Sequence, residues 1–175
     1  MATTSDDASL APAGGYPQPF IRLATPQDIQ AIEELDRLST SPTRAIHRDM
    51  EKYFGSVDPT THERNFVFLA EVGEQVAGKA ELMTPPLLTA DELAYQDGSA
   101  YARVGYVRRV IVDPGFRKLG LARALMLHVI AYARSELQLT TIDLHVWEGN
   151  LPAIRLYESL GFQLQHRELY FRLGL

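Results

Sequence analysis

Residues 108–134 constrain the fold more strongly than any other stretch of this sequence. The β-branched run at positions 110–112 is typical of a buried strand. Asp-Pro-Gly at positions 113–115 ends that strand, because proline lacks an amide donor and glycine adopts turn dihedrals. The apolar positions that follow have the spacing of one helical face: 122, 125, 126, 129, 130 and 133. The stretch therefore predicts a strand, a tight turn and an amphipathic helix.

Two cations and a glycine stand at the predicted start of this helix: Arg117, Lys118 and Gly120. A helix start carries unpaired amides and the positive end of the helix dipole, and glycine lets an anion approach the backbone. Cations at this position are unfavourable unless an anion neutralises them. The pattern therefore favours a phosphate-binding loop over a solvated basic helix start, and Arg123 either joins that loop or faces solvent. The spacings of nucleotide P-loops and dinucleotide-binding loops are absent.

The loop resembles the acetyl-CoA-binding signature of the GCN5-related N-acetyltransferases (GNAT), R/Q-x-x-G-x-G/A, which Arg117, Gly120 and Ala122 satisfy. The resemblance implies acetyl-CoA as co-substrate, with its pyrophosphate at the loop and its pantetheine arm paired to the backbone of the preceding strand. The cofactor-binding residues that it implies are Val110, Ile111, Val112, Arg117, Lys118, Leu119, Gly120, Leu121, Ala122, Asn150 and Tyr157.

A second stretch, Asn150-x-x-Ala153-x-x-x-Tyr157 before Gly161-Phe162, is similar to another motif of this family. There the asparagine contacts the CoA arm and the tyrosine lies near the sulfur. By resemblance, Tyr157 is the catalytic acid that protonates the departing thiolate. The alternative is a buried tyrosine with an ordinary structural hydrogen bond.

The residue that accepts the proton of the attacking amine is less clear. Many GNAT members carry a glutamate in the slot that Arg108 occupies here. Glu81 on the preceding strand is the candidate catalytic base, acting directly or through water. The alternatives are a surface carboxylate, an ion pair between Glu81 and Arg108 or Arg109, and a water chain that needs no dedicated base. Arg108 could instead bind an anionic group of the substrate.

The remaining patterns predict an α/β (α+β) fold: a mixed, mostly antiparallel sheet of six or seven strands, splayed at the centre, with about four helices. The other predicted strands are residues 20–23, 65–72, 75–82, 100–112, 140–147, 162–164 and 168–173. The other predicted helices are residues 27–39, 43–54 and 152–160. Residues 84–99 are predicted to be a loop. This order agrees with the GNAT fold after the first 18 residues.

With 175 residues, the chain suits a flexible tail at residues 1–18 and one domain at residues 19–175.

A formal charge of −5 disfavours nucleic acid as a partner, and no apolar run is long enough to cross a membrane. Without a signal-peptide pattern, we expect a cytoplasmic protein. The chain has no cysteine, and its histidines, at positions 47, 62, 128, 145 and 166, lack the usual metal-ligand spacings, so we expect no metal.

These observations lead to one hypothesis and two alternatives. The hypothesis is an acetyl-CoA-dependent N-acetyltransferase in which a primary amine, of a small molecule or a peptide, attacks the thioester directly in a ternary complex. The first alternative is a non-catalytic acyl-CoA-binding sensor of the same fold, and the second is a binder of a small phosphate ligand unrelated to CoA. Homodimers are common in the family, and no residue identifies the acceptor.

Overall fold

A six-stranded mixed sheet forms the centre of the protein, in the order β1-β3-β4-β5-β6, with β2 also paired to β3. The computed structural model describes residues 18–39, 54–85, 103–169, 171 and 173–174. The strands are β1 (Phe20–Leu23), β2 (Phe54–Val57), β3 (Arg64–Val72), β4 (Gln75–Thr84), β5 (Val104–Val112) and β6 (Thr141–Leu144). The α-helices are α1 (Ile29–Arg37), α2 (Leu121–Ser135) and α3 (Leu151–Ser159). All strand pairs are antiparallel except β5 and β6, which are parallel.

Helices cover both faces of the sheet because side chains alternate along β3 and β4. Phe66, Phe68 and Leu82 lie in the core that contains the buried residues of α2. The intervening Val67 and Leu69 lie in a second core with Ile32 of α1. One sheet face therefore belongs to α2 and the other to α1.

An ion-pair network fixes the start of α1 against the sheet. Arg22 of β1 lies 2.7 Å from Asp28, which precedes α1, and 2.6 Å from Glu71 of β3. The Arg22 guanidinium holds the pKa of the Asp28 carboxyl well below its usual range. The position of α1 thus depends on a side chain of the edge strand.

A β-bulge interrupts the pairing of β4 with β5. Glu81 lies opposite Arg108 and Lys79 opposite Ile111, so β5 contains one more residue than β4 between these two pairs. Arg109 lies in this bulge with a φ of 54°, the left-handed region that non-glycine residues rarely adopt. Gly78 precedes the bulge on β4, and a Cβ atom there would lie 2.9 Å from the Ile111 carbonyl oxygen. Glycine therefore allows the two backbones to approach each other closely.

The sheet opens into a fork beyond the bulge. The parallel pairing of β5 with β6 runs from Val104–Thr141 to Val107–Leu144, where β6 ends. Strand β5 continues to Val112 with β4 on its other edge. Residues 108–112 therefore present one backbone edge that β6 does not cover. This arrangement confirms the predicted splay, which lies between β5 and β6, the last strand of the described sheet.

The structure confirms most predicted elements and corrects three of them. Phe54, predicted to end a helix, begins β2, because its pairing with Phe66 of β3 overrides a local helical pattern. Strand β6 ends at Leu144 rather than at position 147, because β5 diverges there. The described residues of the predicted closing strands form no strand. Phe162 packs against the core, but Leu164 and Leu169 are 74% and 84% exposed, so the alternating pattern continues no buried apolar face beyond Phe162.

Two further predictions, a helix at residues 43–53 and a loop at residues 86–99, lie outside the described residues. Within the described part of the chain, no helix combines the length and apolarity that a membrane crossing requires.

Replacing Leu125 tests the core between α2 and the sheet. Leu125 is fully buried, so Leu125→Ala is expected to lower the free energy of unfolding by about 2–5 kcal/mol. Leu127→Ala is the matched control on the same helix, because Leu127 is 49% exposed, and it should change stability by less than about 1 kcal/mol. Urea denaturation measures both variants, and equal losses would contradict this packing.

Candidate active site

The uncovered edge of β5 lines an open cleft of 2720 Å³. Val110, Ile111 and Val112 contribute to its wall, together with Arg117, Asn150 and Tyr157. The three β5 residues are half-buried rather than buried as predicted, because β6 does not cover this end of the strand. The cleft exceeds the roughly 300–1,000 Å³ of ordinary ligand pockets, so it has room for a large ligand.

A loop with two left-handed residues lies at the end of this edge. Lys118 has a φ of 64° and Gly120 a φ of 79°, and Gly120 is the residue immediately before α2. The first amide of α2 to bond within the helix is that of Ala124, which donates to Gly120. Left-handed residues beside a helix start can turn successive amides toward one point, which is the backbone geometry of anion-binding concavities. A Cβ atom at Gly120 would meet nothing within 4 Å, so the space above the loop is open.

A short turn joins the strand edge to this loop. The Asp113 carboxylate accepts a hydrogen bond from the Gly115 amide at 2.7 Å, which fixes the turn after β5. Arg117 then reaches back, with its Nε donating to the Val112 carbonyl oxygen at 3.5 Å. Leu119 and Leu121 pack with Val112 in a small apolar cluster. The predicted phosphate loop and the predicted arm-binding strand are therefore adjacent and mutually supported.

The side chain of Arg123 points away from this loop. It donates a hydrogen bond to the Ser159 hydroxyl at 2.8 Å and so connects α2 to α3. Sequence reasoning left Arg123 either in the anion site or in solvent, and the structure places it in a contact between helices. Two cations of the loop itself, Arg117 and Lys118, remain for an anion.

Helix α3 contributes the two other predicted residues. Asn150 caps the helix by accepting a hydrogen bond from the Ala153 amide at 3.4 Å. Tyr157 packs against the core beneath α2, and the centre of its ring lies 5.9 Å from that of Phe162. Burial raises the pKa of the Tyr157 hydroxyl above its ordinary value, so the group stays protonated at neutral pH.

A buried ionic cluster occupies the α1 face below the bulge. Lys79 and Glu81 are both fully buried, and Lys79 Nζ lies 2.6 Å from a Glu81 oxygen while also contacting Asp36 of α1. The other Glu81 oxygen lies 3.4 Å from Arg108 and 3.6 Å from Arg109. Successive strand residues normally point to opposite faces, so the bulge explains why both arginines reach one carboxylate. The ion pair of Glu81 with Arg108 and Arg109 is thus observed.

A group of side chains at the mouth of the fork was missed by sequence reasoning. The Tyr106 hydroxyl of β5 lies 2.7 Å from Nδ1 of His145, the first residue after β6. Glu168 lies within 3.7 Å of His145 and 3.5 Å of His166. The Tyr106–His145 contact joins residues 39 positions apart, so no local spacing could predict it. Only the parallel pairing of β5 with β6 brings Tyr106 and His145 together.

The sequence model of the Acetyltransferase (GNAT) family matches residues 29–162. The chain belongs to this family. The matched region covers all three helices, the anion loop and the whole fork. This match confirms the resemblance to the GNAT family that residues 117–122 indicated.

Similar GNAT-fold proteins differ in what their names say they acetylate. A mycothiol acetyltransferase from Acidothermus cellulolyticus is 42% identical over 77 residues, which are 44% of this chain and 23% of that relative. A glucosamine 6-phosphate N-acetyltransferase from Trypanosoma brucei brucei is 33% identical over 103 residues, covering 59% of this chain and 61% of that relative. This chain thus spans about a quarter of the first relative and three-fifths of the second.

Solved structures support the same fold. The aminoglycoside acetyltransferase AAC(6')-Iy, in complex with the bisubstrate analogue CoA-S-monomethyl-acetylneamine, has a TM-score of 0.65 at 16% identity. The alignment covers 91% of this chain and 100% of that structure. At this identity the likeness establishes the GNAT fold alone.

Removing the central cation of the ionic cluster is expected to destabilise the protein. Lys79→Met leaves the buried carboxylate of Glu81 without its nearest partner and should lower the free energy of unfolding by about 3–5 kcal/mol. Arg37→Met is the control, because the Arg37–Glu33 pair of α1 is exposed and should contribute less than about 1 kcal/mol. Denaturant titration compares the two, and a small loss for Lys79→Met would contradict the cluster.

Proposed function

We propose that this protein is an acetyl-CoA-dependent N-acetyltransferase that transfers an acetyl group to a primary amine. The observation that carries the proposal is the continuity between an uncovered strand edge and an open anion loop within one cleft. Acetyl-CoA has matching parts, an extended arm with amide groups and a pyrophosphate. Membership of the GNAT family and the acetyltransferase names of its relatives support the same activity.

The pyrophosphate would bind at the anion loop. Arg117, Lys118 and the amides from Leu119 to Ala122 would hold its oxygens, with the dipole of α2 adding to the attraction. The pantetheine arm would pair with the backbone of Val110, Ile111 and Val112, since that edge of β5 lies beyond its pairing with β6. From the loop, the arm runs toward the fork, which places the thioester beside Arg108.

The transfer step would use direct attack. The amine nitrogen forms a bond to the thioester carbonyl carbon, and backbone amides at the fork stabilise the negative charge that develops on the oxygen. When the tetrahedral intermediate collapses, the carbon–sulfur bond breaks and Tyr157 donates its hydroxyl proton to the thiolate. The raised pKa of Tyr157 supports this role, because an acid must hold its proton until that moment.

Glu81 remains a prediction as the proton acceptor. Its full burial and its contacts with Lys79 and Arg108 support action through water rather than by direct contact with an amine. The same contacts support a second role, in which Glu81 holds the two arginines at the bulge.

The acceptor class is proposed only as a primary amine of a small molecule or peptide. One relative is named a mycothiol acetyltransferase and another a glucosamine 6-phosphate N-acetyltransferase. A cytoplasmic location and a homodimer stay predictions.

The alternative, an acyl-CoA sensor without catalysis, is favoured only by the arginine in the usual glutamate slot. Acetyl transfer to an amine panel by the purified protein separates the two.

Gly120 provides a test of the anion loop. Gly120→Ala adds a Cβ to the open space above the loop and should weaken acetyl-CoA binding by about tenfold or more, as measured by calorimetry. Gly73→Ala is the matched control in the β3–β4 turn, with a φ of 64° and no atom within 4 Å of its Cβ. Both variants carry similar backbone strain, of about 1–2 kcal/mol. Equal affinities for the two would contradict a pyrophosphate at Gly120.

Tyr157 provides a test of the chemistry. Tyr157→Phe removes the proton donor but keeps the ring, so kcat should fall about 100-fold or more while the dissociation constant of acetyl-CoA stays within about threefold. Because the acid form is the active one, wild-type kcat should hold through neutral pH and fall only as pH rises above the ordinary tyrosine range. An unchanged kcat in the variant would remove Tyr157 as the acid.

A further inference from the structure

We propose that His145 is the residue that takes the proton of the acceptor amine, an inference that rests on the proposed acetyltransferase function. His145 directly follows Leu144, the last residue of β6 paired with β5. Arg108 occupies the equivalent position beyond the last paired residue of β5. His145 therefore stands at the point where the strands separate and where the arm of acetyl-CoA would end.

The His145 side chain is open to an incoming substrate. It is 56% exposed and lines the same cleft as Tyr157 and residues 110–112. Side chains alternate between the two faces of a strand, so His145 shares a face with Asp143. Ile142 and Leu144 are half-buried on the opposite face, where they pack against the α2 core. His145 therefore lies on the α1 face of the sheet, together with Tyr106 of the neighbouring strand. Glu81 is fully buried and does not share this access.

The hydrogen bond to Tyr106 determines which nitrogen can act as the base. When Nδ1–H donates to the Tyr106 hydroxyl oxygen at 2.7 Å, Nε2 keeps its lone pair and is the nitrogen that can accept a proton. This bond persists when the ring is protonated, since Nδ1 is a donor in both forms. The Glu168 carboxylate lies 3.7 Å from Nε2. Burial raises the pKa of Tyr106, so its phenol remains neutral beside the ring.

The charged and titratable groups around His145 come from both strands and from the segment after α3. Among the described residues, those in contact with His145 are Tyr106 of β5, Glu168 and His166. Arg108 of β5 and Asp143 of β6 act electrostatically on Tyr106, the hydrogen-bond partner of His145.

The step balances as a simple proton transfer. The acceptor ammonium loses one proton to Nε2, which leaves a neutral amine and an imidazolium. The amine then forms the carbon–nitrogen bond and the thiolate leaves, taking its proton from Tyr157. The imidazolium returns its proton to solvent through the open mouth of the cleft.

The test compares His145→Gln with wild type in the full chain. The acceptors are glucosamine 6-phosphate and sisomicin, and hydrolysis of acetyl-CoA, with water as the acceptor, is followed in parallel. We expect kcat/KM at pH 7 to fall about 100-fold or more. In wild type, kcat/KM should reach a plateau as pH rises, whereas in the variant it should keep rising until the amine itself deprotonates. Calorimetry should give an unchanged affinity for acetyl-CoA, which shows that the variant is folded.

Two further variants sharpen the outcome. His62→Asn is the control, because His62 is exposed in a turn with a φ of 59° that asparagine tolerates, and it should leave kcat/KM unchanged. Glu81→Gln is the competing candidate. If wild type is active and kcat/KM falls by less than about threefold in His145→Gln, the inference is overturned. If instead Glu81→Gln loses the plateau of the pH profile, the role of base belongs to Glu81 and the inference is likewise overturned. Absence of both transfer and hydrolysis in wild type, despite tight acetyl-CoA binding, would overturn the proposed function and this inference together.

Discussion

The bulge at Arg109 is the constraint on which the rest of the site depends. An extra residue in β5 turns the strand away from its parallel neighbour, and the sheet opens from Arg108 onward. A left-handed arginine costs about 1–2 kcal/mol of backbone strain. The contacts of Arg108 and Arg109 with the buried Glu81 hold this conformation. The ionic cluster on the α1 face thus stabilises the bulge, and the bulge separates residues 108–112 of β5 from β6.

The two faces of the sheet differ in the side chains that they pack. On one face, the apolar residues of α2 pack against β3 and β4 and hold the helix start, with its two cations and Gly120, at the end of β5. On the other face, α1 contributes Asp36 to the ionic cluster, and Tyr106 contacts His145. In the proposed reaction, the anion loop is therefore anchored in the apolar core, whereas the acceptor side is lined by charged and polar groups.

Much of this architecture could be predicted from the sequence, because periodicity and turn chemistry are local. The strand–turn–helix unit, the β3–β4 hairpin and the loop at Gly120 were predicted at nearly their observed positions. The bulge was not, since no residue type marks a left-handed arginine. The Tyr106–His145 contact was also missed, because it depends on the register of two strands 39 positions apart. The predicted closing strands failed for a related reason: alternation shows that a strand can form, but a pairing partner decides whether it does.

Hydrogen–deuterium exchange with and without acetyl-CoA tests the central claim most directly, namely that one ligand spans the open edge and the loop. The account predicts that acetyl-CoA slows exchange both in residues 108–112 and in residues 117–122. Adenosine diphosphate alone should protect only the second segment, because it lacks the pantetheine arm. Protection of the loop without any change along β5, with acetyl-CoA at saturation, would contradict the role assigned to the fork.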